Sequence, residues 1–229
     1  MINQWRSPLF KIQFQVKVFI KKLIRTAPSD SAIVDYIKSM LTNKDEISIL
    51  DIGGGFGDNF FHIEKALGSL SKRISYLVVD NKVQCDLGVK FYGNNRKISF
   101  TTTLPQNKFD LIIIIGTIQY IENWKEFIFD VTKISSNSIF ISRTPINMNG
   151  PTFITIQSIC PAYGPATLKK IGESNLNVIN ETELHNTFEQ NGFLVDKSKF
   201  IQDYSENFKG LPTKYRDIKY IDKYFVKSN

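Results

Sequence analysis

Residues 47–57 read ISILDIGGGFG, and their pattern is the strongest indication of the fold class. Its first half, Ile47–Ile52, is a short apolar run of the kind that forms a buried strand, and glycines follow at positions 53, 54, 55 and 57. Glycine adopts backbone conformations that other residues avoid and lets the backbone approach a ligand closely. A helical pattern then runs from Phe60 to Leu67. This order predicts a ligand site at the carboxyl end of a strand, where open α/β sheets bind their ligands.

Strand and helix patterns alternate along the rest of the chain. A helix carrying Ile33, Ile37 and Leu41 precedes the first strand, with Ser29 or Asp30 as its cap. Further strands are predicted over 74–79, 97–102, 109–115, 138–142, 193–200 and 215–226, and helices over 82–92, 124–134 and 181–190. Residues 146–180 are less regular, with a strand near 153–159 and a short helix near 167–172. The alternation predicts one α/β domain built on a parallel sheet.

The spacing of the glycines narrows the choice of ligand. A dinucleotide fingerprint, G-x-G-x-x-G, would need its third glycine where Asp58 or Phe60 stands, and no Gly-Lys-Ser/Thr follows for a P-loop. The loop is instead D-x-G-x-G-x-G, beginning at Asp51. Asp80 ends the next strand, where a carboxylate can accept hydrogen bonds from ribose hydroxyls. The pattern favours a nucleoside without a pyrophosphate, such as S-adenosylmethionine; a tight turn without a ligand is the alternative.

The net charge of +7 is concentrated at the N-terminus. Residues 1–25 carry six basic groups and no acid, which leaves 23 basic against 22 acidic groups in the rest of the chain. A protein that binds nucleic acid through its body needs a basic face, so this distribution does not favour a nucleic-acid partner. Cys85 and Cys160 are isolated, as in a reducing compartment. We therefore expect a cytoplasmic protein.

Residues 9–25 (LFKIQFQVKVFIKKLIR) have two interpretations. From Phe10 to Val18 apolar and polar residues alternate as in a strand, whereas over the whole stretch Leu9, Ile12, Val16 and others share one helical face. The helix is favoured, because the alternation stops after Val18. Such a basic amphipathic helix can lie on an anionic membrane surface. The alternative is a helix packed on its own domain with its lysines in solvent.

With these elements in place, the chain resembles the class I S-adenosylmethionine-dependent methyltransferases over roughly residues 46–200. The resemblance rests on ISILDIGGGFG (47–57), YLVVDN (76–81), KFDLIIIIGTIQYIENW (108–124) and ETELHNTFEQNGFLV (181–195). GTIQYI and ISRTP (141–145) are similar, more narrowly, to methyltransferase-like proteins associated with bacterial surface-polysaccharide genes. The resemblance implies a Rossmann-like, doubly wound, seven-stranded, mostly parallel sheet with a terminal antiparallel hairpin. That domain would span 46–229, after a basic helical segment over 1–45.

The resemblance also implies roles for individual residues in binding S-adenosylmethionine. The methionine end of the cofactor would be lined by Asp51, Gly53, Gly54, Gly55 and Gly57. Asp80 would hold the ribose with Asn81 beside it, and Gly116 and Thr117 would lie under the reacting centre, with Gln119 nearby. No acid follows the third strand to contact the adenine, so Thr102 or the backbone would do so.

Tyr120 and Arg143 are the candidate catalytic residues. Tyr120 follows the fourth strand at the expected mouth of the substrate site, although its ring can equally serve packing. Arg143 ends the fifth strand and can clamp a carboxylate or phosphate; an ion pair with Glu122 or Asp130 is the alternative. His62 and His185 are favoured for structural or solvated roles. No metal site is expected.

The sequence thus predicts methyl transfer to a small-molecule or carbohydrate acceptor, with a hydroxyl of a sugar or glycan precursor favoured. No N/D-P-P-Y/F segment supports methylation of a nucleic-acid base. The alternatives are a non-catalytic protein of the same fold that serves as an assembly partner and, less favoured, a nicotinamide oxidoreductase. Residues 9–25 would bring the protein to the inner membrane if they bind lipid; the oligomeric state is not predicted.

Overall fold

The computed structural model describes residues 31–159, 172–203 and 210–228. Its helices are α1 (Ser31–Asn43), α2 (Asp58–Leu67), α3 (Lys82–Tyr92), α4 (Trp124–Ile134) and α5 (Glu181–Glu189). Its strands are β1 (Ile47–Ile52), β2 (Ile74–Val79), β3 (Ile98–Thr101), β4 (Phe109–Ile115), β5 (Ser135–Asn147), β6 (Phe153–Ile159), β7 (Gly172–Asn180), β8 (Phe193–Asp203) and β9 (Ile218–Lys227). Short 3-10 segments cover Gly68–Arg73, Ile118–Tyr120 and Thr213–Tyr215.

The strands form a mixed sheet, and the predicted α/β class is confirmed. Along the sheet the order is β3-β2-β1-β4-β5-β7-β6, while β9 pairs with β5 and β8 pairs with β9. The β8–β9 pair is antiparallel, as expected for the terminal hairpin. Seven strands, in the order β3-β2-β1-β4-β5-β9-β8, correspond to the predicted sheet with its terminal antiparallel hairpin, and two more bring the described sheet to nine strands. The two additional strands are β6 and β7, which pair with each other as an antiparallel hairpin.

The described chain divides into two compact units. The first unit comprises the described residues up to Ser48 together with Gly54–Leu104, and the second comprises Ile49–Gly53 with the described residues from Pro105 onward. The proposed boundary between residues 45 and 46 stays a prediction. Residues 9–25 and Cys160, and all but the last residue of the helix predicted near 167–172, lie outside the described residues.

In the first unit an aromatic core lies beside the parallel pair β2–β3. Phe60 of α2 is buried against Tyr76 of β2, with ring centroids 5.1 Å apart, and against Tyr92 of α3 at 5.6 Å. Gly88 lets α3 approach β3 closely, since a Cβ there would lie 2.2 Å from the Phe100 ring. The helices therefore pack on the strands through aromatic rings, and Gly88 leaves room for the Phe100 ring.

In the second unit β4 is the most apolar strand. Leu111–Ile114 are all fully buried, which fits a strand with neighbours on both sides and cover on both faces. It pairs in parallel with β1, where Asp51 lies opposite Ile113, and with β5, where Ser142 lies opposite Ile115. The carboxyl ends of β1, β4 and β5 consequently lie at the same edge of this unit.

Three elements differ clearly from the predictions: the start of α2, the length of β5, and the presence of β7. Helix α2 begins two residues earlier than predicted, at Asp58, and β5 extends from Ser135 to Asn147 rather than over 138–142. Strand β7 was not predicted. No helix within the described ranges is both long and apolar enough to cross a membrane.

Candidate functional site

The glycine-rich loop after β1 uses the conformations that only glycine adopts easily. Gly53, Gly55 and Gly57 have φ values of 74°, 63° and 92°, all in the left-handed region. The amide of Gly57 donates to the carbonyl oxygen of Gly54 at 3.1 Å and closes the turn at the start of α2. Side chains at the three positive-φ positions would strain the backbone, which explains why glycines occupy them.

In the first unit Asp80 ties this loop to the end of β2. Its Oδ2 accepts a hydrogen bond from the Gly55 amide at 2.8 Å, and its Oδ1 accepts from the backbone and side-chain amides of Asn81 at 2.6 and 2.8 Å. Burial raises the pKa of Asp80 above its usual value, and these backbone hydrogen bonds oppose the rise. Each carboxylate oxygen can accept more than one bond, so Oδ2 keeps capacity for a ligand hydroxyl.

The side chain of Asn81 serves the protein itself. Its Oδ1 accepts from the amides of Val83 and Gln84 at 3.1 and 3.2 Å, which caps α3 at its N-terminus. Its Nδ2 donates to Asp80. Its polar atoms therefore orient the acid and the helix, which accounts for Asn81 without a ligand. Thr102, the candidate adenine contact, is exposed in the bend after β3.

Gln84 is a candidate site residue that the sequence reasoning missed. Its side chain is buried, and its Oε1 has no hydrogen-bond partner among the described residues. A Cβ built on Gly55 would lie 3.8 Å from that oxygen. Buried polar atoms are normally paired, so an orphaned acceptor beside the loop is what a ligand with a donor group would satisfy. The sequence feature that could have identified Gln84 is its position four residues after Asp80, in the first turn of α3.

Gly57 has a packing role in the first unit. The Tyr92 hydroxyl donates to the Gly57 carbonyl oxygen at 2.6 Å. A Cβ on Gly57 would lie 2.7 Å from the Tyr92 ring and 2.8 Å from Ile98. Its left-handed φ and its close neighbours each explain the glycine, so its conformation alone does not require a ligand.

In the second unit the end of β1 meets the end of β4. Asp51 is fully buried in β1. A Cβ on Gly53 would lie 2.1 Å from Thr117 Oγ1, closer than any side chain tolerates. The Thr117 hydroxyl donates to the carbonyl oxygen of Ile115 at 3.1 Å, which fixes its side chain. Gly53 and Thr117, both predicted site residues, are therefore brought into direct contact.

Gln119 braces β5 at Arg143 and Thr144. Its side chain is 3% exposed, and its Nε2 donates to the carbonyl oxygen of Arg143 at 3.2 Å. Its Oε1 lies 3.5 Å from the Thr144 hydroxyl, within reach of a weak hydrogen bond. Nearby, the amide of Gly116, which has a φ of 62°, donates to the Ser142 carbonyl oxygen at 2.8 Å. The Gln119 amide group is thus engaged inside the protein.

Tyr120 lies in the 3-10 segment after β4 and reaches the β6–β7 hairpin. Its hydroxyl donates to Gln157 Oε1 at 2.7 Å, and its ring packs against the cluster of Leu176, Val178 and Ile218. Burial raises the pKa of Tyr120, so its phenol stays protonated at neutral pH. This geometry makes the hydroxyl a hydrogen-bond donor rather than a general base, and it shows the packing role directly.

Arg143 lies within β5, four residues before the end of the strand rather than at its end as predicted, and its backbone is unusual among the described residues. It is the only described non-glycine residue with a positive φ, at 52°. It lies where β5 slips register against β9: Ile141 pairs with Lys223 and Thr144 with Ile221, so two residues face one. Such bulges redirect side chains, and a left-handed residue of this kind costs about 1–3 kcal/mol. Its side chain is exposed.

The alternative of an ion pair for Arg143 finds no support in the described part of the chain. Asp130 pairs with Lys133 at 3.3 Å, and neither it nor Glu122 forms an ion pair with Arg143. The guanidinium consequently has no acidic partner among the described side chains.

His185 belongs to a partly buried charged cluster on α5 and β9. Its Nε2 lies 4.0 Å from Glu181 Oε1, which accepts a hydrogen bond from the buried Lys223 Nζ at 2.7 Å. Burial, and then the Lys223 charge, lower the pKa of His185. His62 is half-buried in α2, with its ring centroid 5.6 Å from that of Phe61. Among the described side chains, His, Cys, Asp and Glu form no group of three that could hold a metal ion.

The fold resembles that of solved methyltransferases. A crystallised S-adenosylmethionine-dependent methyltransferase from Clostridium acetobutylicum superposes with a TM-score of 0.58 at 13% identity, over 94% of this chain and 98% of that one. An O-methyltransferase of a polyketide synthase multienzyme from Brevibacillus brevis, bound to S-adenosylhomocysteine, gives 0.55 at 14% identity, over 80% and 67%. The cyclase SpnF also gives 0.55, at 11% identity, over 86% and 80%.

Sequence comparison adds nothing to this likeness. No protein-family profile matches the chain, and no curated protein matches it. At identities this low the likeness establishes the fold alone, and the presence of a cyclase among the similar structures shows that one fold accommodates different reactions. In its fold, the chain is similar to the class I S-adenosylmethionine-dependent methyltransferases.

Proposed function

We propose that this protein transfers a methyl group from S-adenosylmethionine to a small-molecule acceptor, a hydroxyl of a sugar or glycan precursor. The nature of the acceptor rests on the sequence resemblance and on the absence of a segment typical of nucleic-acid base methylation. The cofactor assignment rests on geometry. Its principal support is the glycine loop held by the hydrogen bond from the Gly55 amide to Asp80.

Two observations in the first unit fit an S-adenosyl group. Asp80 keeps acceptor capacity at its loop-facing oxygen, as a ribose hydroxyl requires. The orphaned Gln84 Oε1 next to Gly55 offers a second acceptor in a buried place. In the second unit, Gly53 lacks a side chain where the backbone meets Thr117. In the first unit Asp80 and Gln84 would hold the nucleoside, while the roles of Asp51 and Gly53 toward the methionine part rest on the sequence resemblance alone.

When bound, the cofactor supplies an activated methyl group on a sulfonium. The protein's work is then to bind and orient, since proximity in a near-attack geometry supplies about 7–11 kcal/mol in favourable cases. Gln119, just after β4, holds β5 at Arg143, and the neighbouring Tyr120 presents a hydroxyl whose one proton is donated to Gln157. That oxygen keeps lone pairs, so it can orient the acceptor by accepting a hydrogen bond from it.

We also propose a cytoplasmic location, with residues 9–25 contacting the inner membrane. This rests on the basic, amphipathic pattern of the sequence alone. Deleting residues 1–25 should abolish binding to vesicles of anionic lipid in a flotation assay, while the folded body keeps its circular dichroism spectrum. Equal binding by the truncated and full-length proteins would contradict the membrane role.

Calorimetric titration with S-adenosylhomocysteine, with NAD titrated in parallel, tests the cofactor assignment. Saturable micromolar binding of S-adenosylhomocysteine alone is expected. Binding of NAD alone would mean that the loop binds a dinucleotide. Binding of neither would favour a non-catalytic assembly protein of this fold.

A further inference from the structure

We infer that the acceptor carries an oxyanion, a phosphate or a carboxylate, and that Arg143 binds it. This inference rests on the proposed function and narrows its acceptor class to acidic molecules. From Ser138 to Asn147 every residue is buried except Arg143. This ten-residue part of β5 thus hides all its other side chains and presents one permanently charged group to solvent.

The conformation of Arg143 is imposed by its neighbours. The bulge between Ile141 and Thr144 places it at a positive φ, and the Gln119 side chain holds its carbonyl oxygen. The Gly116 amide holds the carbonyl oxygen of Ser142, the residue before it. Two independent hydrogen bonds therefore stabilise a strained turn around one exposed arginine. Glycine or asparagine would fit this backbone with less strain, so packing does not explain the arginine.

The position of Arg143 places its charge at the ligand-binding edge. It directly follows Ser142, the last residue of β5 that pairs with β4. A Cβ built on Gly116 would lie 3.9 Å from the Arg143 Cβ. Gly116 directly follows β4, and Arg143 lies where the parallel pairing of β5 with β4 ends, at the edge where sheets of this class bind ligands.

The chemistry of the guanidinium selects the ligand. It is a planar fork of donors that matches phosphate and carboxylate oxygens, and no described acid pairs with it. A phosphorylated sugar and an acidic sugar both offer such a group beside a hydroxyl. A neutral sugar has no anionic group that could pair with the guanidinium. The methionine carboxylate of the cofactor is a competing occupant that the experiment must separate.

The direct test is nuclear magnetic resonance of the full-length protein, which follows the Nε–Hε signal of Arg143. Inorganic phosphate and acetate are titrated separately at constant ionic strength, with chloride as the reference anion. One of them should shift that signal saturably, and the stronger of the two identifies the phosphate or carboxylate class. Arg143→Gln should weaken the response at the Gly116 and Thr117 amides at least about tenfold. Arg96→Gln, the same change at an exposed arginine just before β3, should leave it unchanged.

Two results would overturn the inference. One is the absence of any saturable shift at Arg143, or an equal response in Arg143→Gln. The other is a loss of S-adenosylhomocysteine affinity in Arg143→Gln with unchanged affinity for methylthioadenosine, which lacks the amino-acid part; Arg143 would then hold the cofactor. A wild-type protein that binds oxyanion but no S-adenosylhomocysteine would contradict the proposed function and still support the oxyanion site.

Discussion

The Gly55 amide donates a hydrogen bond to Asp80 Oδ2 at 2.8 Å, across 25 residues of chain. The carboxylate that would bind the ribose is therefore also the group that holds the glycine loop. Shape and binding depend on one side chain, so a change there is expected to affect both.

Replacing Asp80 with alanine should lower the affinity for S-adenosylhomocysteine at least about tenfold, or ~1.4 kcal/mol. The loss has two causes, the missing acceptor and the released loop. Asp86→Ala is the matched control, because Asp86 is an exposed acid on α3, the helix that follows Asp80, and pairs with Lys82 at 3.0 Å. Calorimetry on both variants decides: unchanged affinity in Asp80→Ala would refute the ribose assignment.

Two glycines with positive φ provide a second test. Gly53→Ala adds a Cβ 2.1 Å from Thr117 Oγ1, whereas Gly68→Ala, at φ 55°, meets nothing within 4 Å. Both variants carry backbone strain of about 1–2 kcal/mol. Only Gly53→Ala adds overpacking, which should lower its free energy of unfolding by about 1–3 kcal/mol more. Urea unfolding of the two proteins measures the difference, and equal stabilities would show that Thr117 yields easily.

Arg143 allows strain and binding to be separated. Arg143→Gly and Arg143→Ala both remove the charge, but only glycine relaxes the left-handed backbone at φ 52°. The glycine variant should unfold with a free energy about 1 kcal/mol higher than that of the alanine variant. If thermal and urea unfolding show the alanine and glycine variants to be equally stable, residue 143 is not in a strained left-handed conformation in solution.

His185 should give the protein a stability that depends on pH. Its pKa is lowered in the folded state by burial and by Lys223, against the opposing charges of Glu181 and Glu189. A depressed folded pKa means that the unfolded state binds the proton more tightly. Stability contributed by His185 is thus fully present above the ordinary value of 6.5 and falls as the pH drops through the folded pKa.

The variant His185→Gln should remove part of this acid sensitivity. Urea unfolding at several pH values on either side of 6.5 gives the free energy of unfolding as a function of pH, and the slope for the variant is compared with that for the wild type. Parallel slopes in the two proteins would show that the imidazole does not titrate differently on folding.

The loop and its flanking elements were predictable because local sequence determines them. The apolar run of β1 and the glycines that follow leave few alternatives for residues 47–57. Strand β7 was missed because its sequence, GESNLNVIN, mixes turn-forming residues with only three apolar ones. Two of these, Leu176 and Val178, belong to a buried cluster on which Tyr120 packs, and this contact between distant parts of the chain is not visible in the local sequence.

The site residues divide in the same way. Gly53 and Asp80 could be named from spacing, since glycine conformation and strand ends follow local rules. The bulge at Arg143 could not, because it depends on a register shift against β9, about 80 residues further along the chain. The hydrogen bond from Tyr120 to Gln157 likewise joins residues whose distance in sequence conceals their contact.

The ion pair between Lys223 and Glu181 has a consequence for chemical labelling. Lys223 is 1% exposed and also donates to Ser198 at 3.3 Å, so acylating reagents reach its amine only when β8, β9 or α5 moves aside. Exposed lysines such as Lys133 should react much faster, because reagent reaches them without any opening. The rate at which Lys223 is labelled thus reports how often this part of the second unit opens locally while the rest of the protein stays folded.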